Sequence, residues 1–136
     1  MVNHWLFKTE PAVYSFGQLQ KDKRTVWDGV KNNLALKNLK DIKKGELVLI
    51  YHTGNERQAV GVARALGGVY PDPAKKDRKL LVVNIEAVKP LRRPVTLAEV
   101  KAHPKLKTFD LVRNSRLSIM KLTDDQWKIM EGMAKK

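Results

Sequence analysis

Glu46-Leu47-Val48-Leu49-Ile50-Tyr51-His52, the turn Thr53-Gly54-Asn55-Glu56 and the return segment QAVGVARAL at residues 58–66 are the stretch on which the fold turns. The first seven residues are mostly apolar and rich in strand-forming types, and read as a mostly buried strand. The glycine-bearing tetrapeptide is a turn, and residues 58–66 come back as a second strand. LLVVNIEAV at residues 80–88 supplies a third long strand with Leu81, Val83, Ile85 and Ala87 on one face. Strands that follow one another on short connections pair antiparallel. No βαβ alternation surrounds them, which argues against a Rossmann-type sheet.

Working outward, residues 4–8 read as a strand stopped by Pro11, and Ser15 with Gln18 forms a capping box for a short helix over 16–20. Residues 21–24 read as a turn. Leu34, Leu36, Leu39 and Ile42 predict a helix over about 31–41, closed by Gly45. Beyond the second strand, Pro71-Asp72-Pro73 breaks the chain. Thr96 with Glu99 opens another helix to about residue 103, and residues 116–122 are a short extended segment. Thr123 caps a final helix with Trp127, Met130 and Ala134 along one face, and Trp5 and Trp127 sit among apolar neighbours as core anchors. About five strands and four helices give an α+β fold: a small, curved, mainly antiparallel sheet or partly closed barrel with short helices around it. At 136 residues one domain, 1–136, is expected.

The charge is the informative bulk quantity. Lys plus Arg is 27 against 14 for Asp plus Glu, a net +13. Such a field concentrates polyanions, which points to a nucleic acid; a merely solubilising surface is the plainer alternative. The basic residues are spread along the chain, which favours a folded basic face over a disordered arm. Cysteine is absent, which excludes disulfides and thiolate-bound zinc. No apolar run or leader-like opening points to a membrane, so a cytoplasmic protein is expected, a monomer or a weak homodimer.

Enzyme motifs are missing. The chain carries no G-x-G-x-x-G, P-loop or G-x-S-x-G. Its histidines, His4, His52 and His103, form no H-E-x-x-H and have no carboxylate at metal-ligand spacing. No catalytic residue, metal or cofactor is expected.

Some polar and aromatic groups stand where simple elements would not need them. Trp27-Asp28-Gly29-Val30-Lys31-Asn32-Asn33 offers a broad π face beside side-chain amides that both donate and accept. The same stretch also fits a core tryptophan next to a helix cap, with Asp28 or Asn32 as the cap. Tyr51-His52-Thr53-Gly54 and Lys8-Thr9-Glu10-Pro11 put polar groups at two strand ends, as pocket mouths or as ordinary turns. Arg113-Asn114-Ser115-Arg116 is either a phosphate clamp or a solvated loop.

Taken in order, these places resemble one family. His4-Trp5-Leu6-Phe7-Lys8-Thr9-Glu10-Pro11 resembles the EVE-family opening Y-W-L-x-K-S/T-E-P. Tyr14-Ser15-Phe16-Gly17-Gln18-Leu19 resembles its Y/F-S-I-D-D-L, and Trp27-Asp28-Gly29-Val30-Lys31-Asn32 its W-D-G-V-R-N. Asn38-Leu39 with Ile42-Lys43-Lys44-Gly45-Glu46, Ile50-Tyr51-His52-Thr53, Val69-Tyr70-Pro71-Asp72-Pro73, Arg116-Leu117-Ser118-Ile119-Met120 and the run from Thr123 to Trp127 continue the match to residue 127. The resemblance implies a PUA-like pseudo-barrel, similar to YTH and ASCH domains. It further implies a non-catalytic module that holds one modified nucleobase, a modified cytosine or adenine, of DNA or RNA. Trp27 would be the stacking wall, with Lys8, Thr9, Asn32, His52 and Thr53 lining the pocket. Lys31, Arg113 and Arg116 would meet phosphates. Where the family reads N-Y-Q-A, this chain reads Asn32-Asn33-Leu34-Ala35, so a family aromatic is Asn33 and a family amide is Leu34. The segment after Tyr70 is short, which would open the pocket and leave Lys75, Lys76 and Arg78 at its rim. Two other readings remain on the same residues. One is a small nucleic-acid-processing enzyme, which needs an acid–base pair such as His52 with Glu10 or Asp28. The other is a protein-interaction domain with a basic surface.

Overall fold

A computed structural model describes residues 3–135. The described residues form a seven-stranded sheet with five short α-helices and one 3-10 turn. The strands are β1 (His4–Thr9), β2 (Arg24–Trp27), β3 (Leu47–His52), β4 (Gln58–Ala65), β5 (Tyr70–Pro71), β6 (Leu81–Thr96) and β7 (Ile119–Leu122). The helices are α1 (Phe16–Asp22), α2 (Asn33–Leu39), α3 (Leu97–Ala102), α4 (Asp110–Arg113) and α5 (Asp124–Lys135). The three long strands do pair antiparallel, as β3–β4 and β4–β6. The sheet order is β2-β6-β4-β3-β1-β7, with β5 added at the start of β6, and only β1–β3 is parallel.

The sheet curls. A flat sheet with strands ~4.8 Å apart would separate β2 from β1, four positions away, by roughly 19 Å. Yet the Trp27 ring on β2 and the Phe7 ring on β1 are 5.4 Å apart, centroid to centroid. The two ends of the strand order are therefore folded toward each other around a shared core, with an unpaired seam between β2 and the β1–β7 edge. Trp5, Leu6 and Phe7 are all fully buried, so β1 is covered on both faces. α2 lies against β7, where the Asn38 side-chain amide donates to the Ile119 carbonyl at 2.8 Å, and α5 packs Trp127, Met130 and Ala134 against the sheet.

Several elements depart from the sequence-based expectation. Arg24–Trp27 is a strand rather than a turn and linker, paired with Val83–Glu86 of β6. α1 runs two residues past the predicted end, to Asp22, and α2 is shorter than predicted because Asn32 caps it directly. β6 continues to Thr96 through Pro90 and Pro94. Pro94 is accommodated because the β4–β6 register breaks between Ala59↔Val95 and Gly61↔Pro90, so it falls within a bulge that asks no ladder N–H of it. The capping box at Thr96–Glu99 forms as expected, and the expected cap at Thr123 is completed by Gln126, whose side chain accepts the Thr123 amide. At Ser15 only the cap forms, because the Gln18 side chain donates to Asp22 and does not reach back to the Ser15 amide.

Gly61, at the same bulge, is required by packing. A Cβ there would lie 2.3 Å from Cζ of Phe16. Gly61→Ala is expected to destabilise the domain by about 1–3 kcal/mol through overpacking, read as a lower urea midpoint. Adding Phe16→Leu should return part of that loss; an additive double variant would show that the clash is relieved elsewhere.

Candidate nucleic-acid interface

The seam between β2 and the β1–β7 edge opens into a cleft of about 530 Å³, within the range of small-ligand sites. Its walls come from the end of β1 (Lys8, Thr9, Glu10), the turn after it (Val13, Tyr14), β2 and its exit (Thr25 to Val30) and Ser118 before β7. The turn is locked from within: Val13 and Tyr14 both donate their amides to the Glu10 carbonyl at 2.9 Å, and the Thr9 hydroxyl donates to the Tyr14 carbonyl at 2.7 Å. Gly29 lets the chain leave β2 abruptly, at φ +76°.

Trp27 forms the aromatic floor. Its ring is tilted against Phe7 and meets Tyr14 edge-on at 6.3 Å, and the indole as a whole is 7% exposed. Val13 and Val26, 82% and 46% exposed, give the cleft an apolar rim. The Lys8 ammonium donates to the Ser115 carbonyl at 3.0 Å and stands 5.9 Å from the centre of the Tyr51 ring. Burial holds its pKa below the ordinary lysine value. The Lys8 amide also donates to the Ser118 carbonyl at 2.9 Å, so the loop bearing Arg116 is fastened to the cleft wall.

Of the residues expected to line a pocket, Trp27, Lys8 and Thr9 come together here. Thr53 lies just behind the wall, its hydroxyl reaching the Thr9 carbonyl at 3.3 Å. Asn32 and His52 are held elsewhere. The Asn32 side-chain oxygen accepts the Ala35 amide as the cap of α2. His52 is buried, with Nε2 accepting the Phe16 amide at 2.9 Å and Nδ1 2.8 Å from a Glu56 oxygen. Both ring nitrogens are engaged, so the pairing of His52 with Glu10 or Asp28 that a hydrolytic centre would need is not formed. Lys31 follows the cleft residue Val30, and Arg116 sits between Ser115 and Ser118; both are exposed. Arg113 is exposed at the end of α4. Asn33 and Leu34 are exposed in the first turn of α2 and do not form the cleft wall; nor do Lys75, Lys76 and Arg78. Sequence reasoning did not single out Val13, Thr25, Val26 or Ser118, whose convergence depends on the curl of the sheet. Among the described residues no group of three or more His, Cys, Asp or Glu could hold a metal ion.

Residues 3–133 match the model of the EVE domain. The chain belongs to the EVE family. Its fold is the PUA-like one expected for that family, a mixed, mostly antiparallel sheet with short helices. The protein Rpa0253 of Rhodopseudomonas palustris, solved by NMR, is 37% identical, with a TM-score of 0.93 over 98% of this chain and 94% of that one. Thymocyte nuclear protein 1 of Homo sapiens is 27% identical over 98% of this chain and 75% of its own length. A crystal structure of human THYN1 in complex with DNA containing 5-methylcytosine is 28% identical, with a TM-score of 0.90 over 98% of both chains. The YTH domain of Zygosaccharomyces rouxii MRB1, solved with N6-methyladenosine RNA, shares the fold at 16% identity and a TM-score of 0.59, over 98% of this chain and 87% of that one.

Proposed function

We propose that this EVE domain is a non-catalytic reader that takes a single modified base of DNA or RNA into the seam cleft and stacks it on Trp27. The observation that carries the reading is the cleft itself: an aromatic floor, an apolar rim and a few fixed polar groups, in a chain 28% identical to a protein solved with 5-methylcytosine DNA. A base extruded from its strand needs such a place, where stacking and edge contacts replace what it leaves behind. Lys8 and Thr9 stand on the wall beside it, while Asn32, His52 and Thr53 keep that wall and the neighbouring helix in place. Lys31 and Arg116, exposed next to the cleft, meet the flanking phosphates, with Arg113 at the end of α4, three residues before Arg116. The +13 charge supplies the long-range attraction for either backbone.

The test is a binding series with oligomers identical except for one modified base, as DNA and as RNA. A modified base should bind at least about fivefold tighter than its unmodified counterpart. Affinity should fall steeply with salt, and Lys31→Ala and Arg116→Ala should each reduce the slope of log K against log salt by about one without changing the preference for the modification. Equal affinity for modified and unmodified oligomers throughout would reject the reader function.

A further inference from the structure

The cleft's own charge runs against that of the chain. In a protein of net +13, the residues that line the cleft with Trp27 include two acidic ones, Glu10 and Asp28, and one basic one, Lys8. The Lys8 ammonium is already bonded to the Ser115 carbonyl. Glu10 is also occupied: its oxygens receive the Ala12 amide at 3.4 Å and the Thr53 hydroxyl at 3.4 Å, and the carboxylate is pressed against Gly54, whose Cβ would lie 2.8 Å from it. Asp28 differs. It is exposed, directly follows Trp27 and borders the cleft, and it takes part in none of the hydrogen bonds or ion pairs found among the described residues. The positive φ of Gly29 turns the chain away immediately after it.

An ionised carboxylate can only accept hydrogen bonds. Set beside a stacking floor it repels a phosphate and the carbonyl edge of a pyrimidine, and it welcomes an exocyclic amino group. Resting on the reader function above, we infer that Asp28 is a specificity-determining residue that accepts the exocyclic amino group of the bound base, so that the cleft takes amino bases and rejects their keto counterparts. 5-Methylcytosine and thymine form such a pair. They share ring size and the 5-methyl group and differ at the amino or carbonyl edge, so the domain would separate a methylated cytosine from the product of its deamination. N6-methyladenine and hypoxanthine are the corresponding purine pair.

Asp28→Asn is nearly isosteric, breaks no bond found in the folded protein, and converts an acceptor into a group that can also donate. Affinities of wild type and Asp28→Asn would be measured for oligomers carrying 5-methylcytosine, thymine, N6-methyladenine or hypoxanthine at one position. Wild type should prefer the amino member of the pair it binds by about tenfold or more, and the variant should bring that ratio near one or invert it. Stability of the variant should match wild type. A ratio unchanged in Asp28→Asn, or a wild type that binds both members equally while still preferring them to unmodified sequence, overturns the role of Asp28 and leaves the reader function standing. A wild type that prefers none of the modified oligomers overturns both.

Discussion

Trp27→Ala is expected to abolish the preference for a modified base and to lower the stability of the domain by about 3–5 kcal/mol. Both effects follow from one side chain. Base–aromatic stacking contributes roughly 1–3 kcal/mol, so its loss removes most or all of a fivefold to hundredfold preference. The indole is also 7% exposed and packed against Phe7, so truncation leaves a cavity at the seam of the sheet. Two further variants separate the effects. Trp27→Leu refills most of the space without a ring and should keep more stability while losing the preference as completely as alanine does. Trp27→Phe keeps a smaller ring and should retain part of both. Binding by isothermal titration and stability by urea unfolding, run on all three, decide the matter. If preference tracks stability and not the ring, Trp27 is a core residue alone.

The second large effect lies away from the cleft. Glu46 is 2% exposed and accepts three hydrogen bonds: the Asn3 amide at 2.7 Å, the Trp5 indole N–H at 3.0 Å and the Lys43 amide at 2.8 Å. It ties the start of β1 to the turn that leads into β3, the one parallel pair of the sheet. Glu46→Ala should cost about 3–5 kcal/mol, because it strands several donors in a region closed to water. Glu46→Gln should cost less, since it keeps one acceptor oxygen but turns an amino group toward a donor. Urea midpoints that fall from wild type through Gln to Ala at a constant m value are the expected pattern. A midpoint for Glu46→Ala close to wild type would mean that water replaces the carboxylate at no cost.

What the sequence made legible was local. Antiparallel pairing of β3, β4 and β6 follows from short connections, and the caps at Ser15, Thr96 and Thr123 follow from side chains that reach amides three residues on. β2 was hidden because Arg24-Thr25-Val26-Trp27 is short and half exposed, and its partner on β6 lies far along the chain. The role of Glu46 was hidden for the same reason, since two of its donors are more than forty residues away. For the site, Trp27, Lys8 and Thr9 stood out as residues that neighbouring elements did not require. His52 stood out too, but its imidazole accepts the first amide of α1, a tertiary bond that no spacing rule reveals. Asp28 was visible as one of two possible helix caps and as a possible acid–base partner of His52. Asn32 is the cap, and Asp28 is among the residues that line the cleft.

The chain has three tryptophans, and only Trp27 borders the seam cleft; Trp5 is fully buried and bonded to Glu46, and Trp127 is stacked on His4 at 4.4 Å. Their indole N–H groups therefore report on three separate places in one nuclear magnetic resonance spectrum. Titration with an oligomer carrying the preferred modified base should move the Trp27 resonance strongly and leave those of Trp5 and Trp127 nearly still, while the unmodified oligomer moves none of them. Movement of the Trp127 or Trp5 resonance with Trp27 unchanged, or equal movement by both oligomers, would contradict a modified base seated on Trp27.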